Sequence, residues 1–403
     1  MKNILFVDDE PRVLAGMQRQ FHVFRGEWTM RYAGSGAEAL GLLAEAPADV
    51  LVTDMMMPGM DGAQLLEQVL KCHPNTIRIV LSGQTSDESV LRLVCPAHQF
   101  LVKPCEPRQL RDTITHAFAL CDLLGNAELK RLVAQTSSLP SLPRLYVDLL
   151  AALRSPKPSI EQIGTIIGRD VAMSAKILQL VNSAFFGLGH RISHPSEAAL
   201  YLGTQTLKSL VLFTQVFAQF NRDQMAVPGF SLETLWQHCW STGVFARRMA
   251  RAEGFDAEAV DRCFVSGLLH DVGKLILARG QTAAFSQALA TASRDRVPLW
   301  QVEQQVIGAS HADVGAYLLG LWNFAHPIVA AVAFHHRTGD DFLRAIDVTA
   351  IVQVANLMAH QPSDAELAPL LAPPAADAQL PGAAAQRLAT WIALCRTPDK
   401  PEN

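Results

Sequence analysis

The sequence predicts two domains of different class: a doubly wound α/β domain on a five-stranded parallel sheet, then an all-α helical domain. Three observations predict this. Over residues 1–122, short apolar runs alternate with amphipathic helical patterns. A cluster of Ser and Pro, Ser137-Ser138-Leu139-Pro140-Ser141-Leu142-Pro143, then interrupts the pattern and marks a boundary. From 139 to 360 nearly every segment has helical period, with no strand-like alternation, as in a bundle whose helices follow one another across short loops.

Strands are expected at Asn3–Val7, Met30–Ala33, Val50–Thr53, Ile77–Leu81 and Phe100–Val102. The first helix is expected over Asp8–Gln20. Pro11 suits a first helical turn, and Val13, Leu14, Met17 and Phe21 share one apolar face. The last helix of this domain opens near Pro107 and carries Leu110, Ile114, Phe118 and Cys121 on one side. Gly125-Asn126 suggests a break, and a further helical piece, Leu129–Val133, falls in the linker 123–138. The helical domain spans 139–360. An Ala- and Pro-rich tail, 361–403, carries one amphipathic helix around Ala383–Cys395. No internal repeat is evident.

Bulk composition narrows the function classes. The chain has 403 residues, nearly half of them hydrophobic, which excludes a disordered chain. Lys plus Arg number 34 against 38 Asp plus Glu, so there is no broad cationic footprint for nucleic acid or an anionic membrane. The apolar run Ile4–Val7 meets Asp8-Asp9-Glu10 at once and is no signal peptide, and no stretch approaches the ~20 apolar residues of a membrane span. Seven scattered cysteines without a C-x-x-C pair suit packed thiols in a reducing compartment, so a cytoplasmic protein is expected.

The chemistry of the first domain gathers where strands end. Asp8 and Asp9 follow the first strand, Asp54 the third, Ser82 the fourth and Lys103 the fifth. Sites in open parallel sheets form outside the carboxyl ends of strands, so these groups are expected in one pocket. Clustered carboxylates call for a divalent cation, and hard oxygen donors suit Mg²⁺. An ammonium and a hydroxyl beside them can hold phosphoryl oxygens. Asp54, on the central strand, is the natural acceptor.

The stretches Ile4-Leu5-Phe6-Val7-Asp8-Asp9-Glu10, Val52-Thr53-Asp54-Met55-Met56-Met57-Pro58-Gly59-Met60-Asp61-Gly62, Leu81-Ser82-Gly83 and Lys103-Pro104 resemble the flavodoxin-like receiver domain of two-component response regulators. The resemblance covers residues 1–122. It implies that Asp54 is the phospho-acceptor. It also implies that Asp9, Asp54 and the Met56 carbonyl ligate Mg²⁺, with Asp8 acting through water. Lys103 would bind the phosphoryl group, Ser82 would sense it, and Phe100 would be the switch aromatic. A histidine kinase would supply the phosphate.

The helical domain carries two signatures. One runs Asp170-Val171-Ala172-Met173-Ser174-Ala175-Lys176-Ile177-Leu178-Gln179-Leu180-Val181-Asn182-Ser183-Ala184-Phe185-Phe186-Gly187. Core packing explains its apolar positions but leaves Asn182 and Ser183 needing polar partners if buried. The other is a histidine series: His238, His270-Asp271 followed by Lys274, His311, and His335-His336, each on a different expected helix. Facing helices can aim such groups at one internal point, where they form a metal site or a buried hydrogen-bonded network. Both readings stay open.

Residues 139–360 resemble the HDOD family, relatives of the HD and HD-GYP phosphohydrolases, through Asn182-Ser183-Ala184-Phe185-Phe186-Gly187 and the histidine series. That implies a signalling domain acting through protein contacts on a downstream partner, with a homodimer open. By the same resemblance, His238, His270, Asp271, His311, His335 and His336 fall at HD-GYP metal-ligand positions (Mn, Fe or Zn), with Lys274 a candidate catalytic group. Two departures stand against catalysis. Thr234 and Asn356 occupy positions where those enzymes carry acids, and Arg337-Thr338-Gly339-Asp340-Asp341 contains no Gly-Tyr-Pro loop. The expected function is a phosphorylation-controlled regulator. The alternative is a receiver-gated, metal-dependent phosphohydrolase of the cyclic-dinucleotide phosphodiesterase kind.

Overall fold

The computed structural model describes residues 2–82, 97–123, 126–134, 136, 140–141, 148–149, 151–153, 155, 158–182, 191–213, 218–219, 227–322, 324–336, 346–360 and 382–396. The expected features at Gly83, Gly125, Ser183–Gly187, Arg337–Asp341 and 361–381 lie outside the described residues, as does most of the Ser/Pro cluster.

The first domain runs β1 (Lys2–Val7), α1 (Pro11–Phe21), β2 (Trp28–Ala33), α2 (Gly36–Glu45), β3 (Val50–Asp54), α3 (Gly62–Cys72), β4 (Ile77–Ser82), β5 (Gln99–Val102) and α4 (Pro107–Leu123). Its five strands are all parallel, in the order β2-β1-β3-β4-β5. Side chains alternate across the sheet, so each strand feeds two cores. Ile4, Phe6, Val50, Val52, Ile77 and Ile79 face α1 and α4, meeting Met17, Phe21, Leu110, Ile114 and Phe118. Leu5, Val7, Leu51 and Val80 face α2 and α3, meeting Ala39, Leu43, Leu65, Leu66 and Val69.

The first helix starts later than the expected Asp8. The Asp8 carboxylate accepts the Glu10 N–H at 3.0 Å, which holds the chain in a turn until Pro11 sets the helical φ.

After α4 comes α5 (Ala127–Ala134), the linker helix. The second domain then contains β6 (Pro140–Ser141), α6 (Ile160–Gly168), α7 (Val171–Val181), α8 (Pro195–Phe213), β7 (Ala218–Gln219), α9 (Leu232–Ala252), α10 (Ala257–Leu269), α11 (Val272–Gly280), α12 (Thr282–Asp295), α13 (Leu299–Val306), α14 (His311–Leu321), α15 (His326–Phe334), α16 (Val348–Ala359) and α17 (Gly382–Arg396). It is helical as expected, with one correction. The residue pairs of β6 and β7 form a short parallel bridge, too brief to leave any period-2 pattern in the sequence.

Asn182 has its polar partners. Its amide donates to the Leu178 and Ile192 carbonyls at 3.0 and 2.7 Å and accepts the Ile192 N–H at 2.7 Å, closing the chain between α7 and α8. The expected C-terminal helix is α17. It docks against α9 through fully buried Trp391, whose indole N–H donates to Glu253 at 2.9 Å. No helix among the described residues is long and apolar enough to cross a membrane.

The two domains share a core. The cluster on the α1/α4 face of the sheet continues through Leu129 and Val133 of α5 to Tyr317, Leu318 and Leu321 of α14. Both α4 and α5 pack on α14, and α5 also packs on α11. Leu132 sits directly over Gly280, where a Cβ would lie 2.2 Å from its side chain. Arg78 of β4, only 1% exposed, donates to the Ala134 carbonyl at 3.0 Å and to the Thr76 carbonyl at 3.1 Å. Burial lowers the Arg78 pKa to about 10, so the guanidinium stays charged. Asn126 accepts the Glu128 and Leu129 N–H groups at 2.9 and 3.1 Å, and its amide donates to the Ile307 carbonyl at 3.2 Å. Gln281 donates to Glu128 at 3.0 Å.

Candidate functional sites

The first site lies at the carboxyl edge of the sheet. Lys103, just beyond β5, places Nζ 2.8 Å from Asp8 Oδ2 and 2.5 Å from Asp54 Oδ1. The sheet brings these three together because β1, β3 and β5 end at one level. Asp8 is 1% exposed and Asp54 7%. Burial disfavours the Lys103 charge, but hydrogen bonds to Asp54 and Asp8 outweigh it and raise the pKa. The Met56 N–H donates to Asp54 Oδ2 at 3.0 Å, holding the carboxylate against the turn after β3.

Asp9 follows Asp8 in the chain, is half-buried and does not cap α1: Glu10 holds the N-cap position, without a side-chain bond. Ser82 ends β4, and the backbone of Phe100 pairs with Val80. The side chains of Ser82 and Phe100 lie outside the described residues. The donors at hand are all oxygens, and Lys103 is the cation that balances them. This is the donor set a hard divalent ion takes.

The second site sits inside the helical domain, where one flank of α9 meets the α10–α11 turn, the start of α14 and the end of α15. His238 projects from α9. His270 and Asp271 form the turn between α10 and α11, and Lys274 follows one turn later. His311 is the first residue of α14, and His335 and His336 follow α15. Gly273 permits this meeting, because a Cβ there would lie 2.0 Å from the His311 carbonyl oxygen. All seven expected residues converge.

Two donor groups form around one shared carboxylate: Asp271 with His311, His335 and His336, and Asp271 with His238 and His270. Asp271 Oδ1 lies 3.1 Å from His311 Nε2 and 3.7 Å from His335 Nε2. Asp271 Oδ2 lies 3.4 Å from His270 Nε2, 3.6 Å from His238 Nε2 and 2.6 Å from Lys274 Nζ. The imidazoles also face each other, with His238 and His270 Nε2 atoms 3.1 Å apart and those of His311 and His336 2.8 Å apart.

Acceptors behind the rings set which ring nitrogens carry protons. His270 Nδ1 donates to the Gly267 carbonyl at 2.7 Å and His335 Nδ1 to the Val332 carbonyl at 2.7 Å. Their Nε2 lone pairs therefore point inward. Asp271 Oδ1 and His335 Nε2 are buried with no hydrogen-bond partner among the described residues. Burial and neighbouring imidazoles or Lys274 lower the pKa of His238 to about 3, and burial lowers that of His335 to about 4 and also depresses His336. Burial would raise the Asp271 pKa, but Lys274 and His270 pull it well below the usual carboxylate range. Neutral imidazoles and an ionised carboxylate converging with unshared lone pairs fit a borderline first-row cation such as Mn, Fe or Zn.

Two members of this neighbourhood are not evident from the motif. Glu303 of α13 is fully buried and lies 2.5 Å from His311 Nδ1. Its signal is a carboxylate on a core face: Leu299, Val302 and Val306 turn inward at helical spacing, and Glu303 shares that face. His360 stands with its ring centroid 4.3 Å from that of His238. A cavity of about 560 Å³ opens on this side, lined by Ser231, Thr234, His238, Lys274, Phe285 and His360 among others. Thr234 thus lines the cavity without adding charge, and Asn356 is buried with Oδ1 unpartnered among the described residues.

Comparison with known proteins matches residues 4–115 to the response regulator receiver domain and residues 139–338 to the HDOD domain. An uncharacterized protein of Treponema pallidum is 26% identical over 256 residues, covering 62% of this chain and 46% of that one. The hydrogenase transcriptional regulatory protein HoxA of Cupriavidus necator is 32% identical over 154 residues, covering 38% of this chain and 31% of that one. The chain therefore spans less than half the length of these curated relatives. Among solved structures, the MmoQ response regulator of Methylococcus capsulatus is 22% identical with a TM-score of 0.46, covering 64% of this chain and 98% of that one.

Proposed function

This chain carries a receiver domain followed by an HDOD domain, the layout of a two-component response regulator, and from that premise we infer that phosphorylation of Asp54 gates an output made through protein contacts. The observation that carries the reading is Lys103 joined to both Asp8 and Asp54, in a domain whose last helix and linker pack on α14, the helix that opens with His311. We take 1–122 as the switch, 123–138 as the linker, 139–360 as the output domain and 361–403 as a tail.

A carboxylate oxygen of Asp54 attacks the donor phosphorus, and the donor leaves with its bonding electrons. Lys103, already beside Asp54, pairs with the incoming phosphoryl oxygens. Asp8, Asp9, Asp54 and the Met56 carbonyl are the residues that would hold Mg²⁺, and the ion would neutralise the charge gathered there. Ser82 would donate to the phosphoryl group and Phe100 would move with it. Swinging a two-state switch from mostly off to mostly on takes about 5.5 kcal/mol of differential stabilisation. Charge-assisted hydrogen bonds at about 1.5–3 kcal/mol each supply that with two or three contacts. A histidine kinase is the natural phosphate source, and the partner of the helical domain is a protein.

The histidine cluster supports a bound transition metal. Hydrolysis is not favoured, because Thr234 and Asn356 add no carboxylate to the site.

Two experiments test the reading. Incubation with acetyl phosphate labels the wild type in an acid-labile form and leaves Asp54→Asn unlabelled; undiminished, acid-stable labelling of that variant refutes the assignment. Metal analysis of the purified protein finds a stoichiometric ion that is lost from His270→Ala/Asp271→Ala.

A further inference from the structure

We propose that Glu303 is the positioning residue of the histidine cluster: it keeps a proton on His311 Nδ1, so that Nε2 is the atom offered to a bound cation. The proposal rests on the reading of the cluster as a metal site.

The argument starts from where the histidines sit on their helices. His270 and His335 each follow the last turn of a helix, so the carbonyl three residues back lies within reach of Nδ1. His311 opens its helix instead. The backbone before it is not helical, and no carbonyl three residues back is presented to its ring. Glu303 fills that role from another element. Its Oε2 accepts the His311 backbone N–H at 2.8 Å and lies 2.5 Å from Nδ1.

The local chain is shaped for this reach. The Glu303 carbonyl accepts the Ile307 and Gly308 N–H groups at 2.7 and 3.3 Å, and Gly308 takes a φ of +85°. That turn ends α13 and returns the chain to Ser310, which caps α14 in a reciprocal box with Asp313. Glu303 and His311 therefore face each other across one tight loop.

Packing alone does not call for a charge here. Glu303 is fully buried and its Oε1 has no hydrogen-bond partner among the described residues. A buried carboxylate is costly unless it is paired, and an apolar side chain or glutamine would fill the same volume. What only the carboxylate provides is a strong acceptor that fixes the ring's orientation and tautomer and raises the basicity of the opposite nitrogen. Carboxylate–histidine–metal arrangements use this contact, and losing it weakens metal binding by about 10–100-fold.

The test uses the full chain. Long-range proton–nitrogen correlation spectra of ¹⁵N-histidine-labelled, metal-free protein report which nitrogen of His311 carries the proton, with the signal assigned by His311→Ala. Wild type is expected to show Nδ1 protonated. Glu303→Gln keeps a neutral acceptor and retains much of that state, whereas Glu303→Leu loses it. Co²⁺ titration followed by visible absorption is expected to weaken by about 10–100-fold in Glu303→Gln and further in Glu303→Leu. Thermal melts of Glu303→Gln, the near-isosteric variant, show that the fold persists.

A bare Nδ1 on His311 in the wild type overturns the proposal. So does a Glu303→Leu protein that binds Co²⁺ as tightly as wild type. If the wild type takes up no Co²⁺ while the His311 proton still follows residue 303, the metal reading falls and the positioning role stands.

Discussion

Lowering the pH from 7 to 5 should destabilise the metal-free protein through its buried histidines, by an amount the structure sets. His335 has a pKa of about 4 and His238 of about 3, both depressed first by burial. Unfolded, each titrates near 6.5. A histidine depressed in the fold contributes no penalty above its unfolded pKa. As pH falls below that value the unfolded chain binds a proton that the folded chain refuses, and stability drops until the folded pKa is reached. Integrated from pH 7 to 5, each such group costs about 2 kcal/mol, so the pair costs about 4 kcal/mol. His311 opposes this. Burial would lower its pKa, but Glu303 raises it, so its contribution is fully present below about 6.5 and is lost as pH rises. His336 and His98, both depressed first by burial, add losses of the same sign, so the net expectation is a loss of at least about 2–4 kcal/mol, a large share of a typical domain's stability. Urea melts in chelator at half-unit pH steps measure it. His335→Gln should flatten the profile by about 2 kcal/mol over the same range. Stability that stays level between pH 7 and 5 would refute the burial argument.

Lys103→Met leaves Asp8 and Asp54 without their shared cation. Because Lys103 is about a third exposed, the cost in metal-free buffer is modest, about 1–2 kcal/mol, and Mg²⁺ should raise the melting temperature of the variant more than that of the wild type. Asn126→Ala removes both the cap of α5 and the bond to Ile307. A stability loss of about 1–2 kcal/mol is expected, with faster amide hydrogen exchange across Ile307–His311, and unchanged exchange there would show that the linker does not brace that loop.

The receiver fold was legible because its chemistry sits at strand ends, and a strand end is a place a sequence can mark. Apolar runs such as Val50–Thr53 halt at an acid, and the acid then falls at the edge of the sheet. Periodicity starts α1 too early because the Glu10 N–H donates to the Asp8 carboxylate, a bond that leaves no periodic mark and delays the helix. In the helical domain the histidines could be named but their meeting point could not. It depends on Gly273 letting α11 close onto α14, and on acceptors such as Gly267 and Val332 that belong to the backbone. Glu303 shows the limit best. It lies eight residues before His311 and on another helix, and only its intrusion into the apolar face of α13 hints at a task. The junction residues Arg78 and Asn126 left no trace, because each crosses to the second domain or its linker through a backbone carbonyl, Ala134 for Arg78 and Ile307 for Asn126, which no residue type marks.

The apolar cluster that passes from the sheet through the linker helix into the helical domain has a consequence for how the molecule comes apart. Two bodies that share one interior cannot lose it separately. Heating should produce a single calorimetric transition, and cutting the chain at the linker should leave each half with an exposed apolar face where α5 packs on α14. A phosphoryl group on Asp54 would therefore act on a common interior rather than across a tether, and loosening one half would loosen the other.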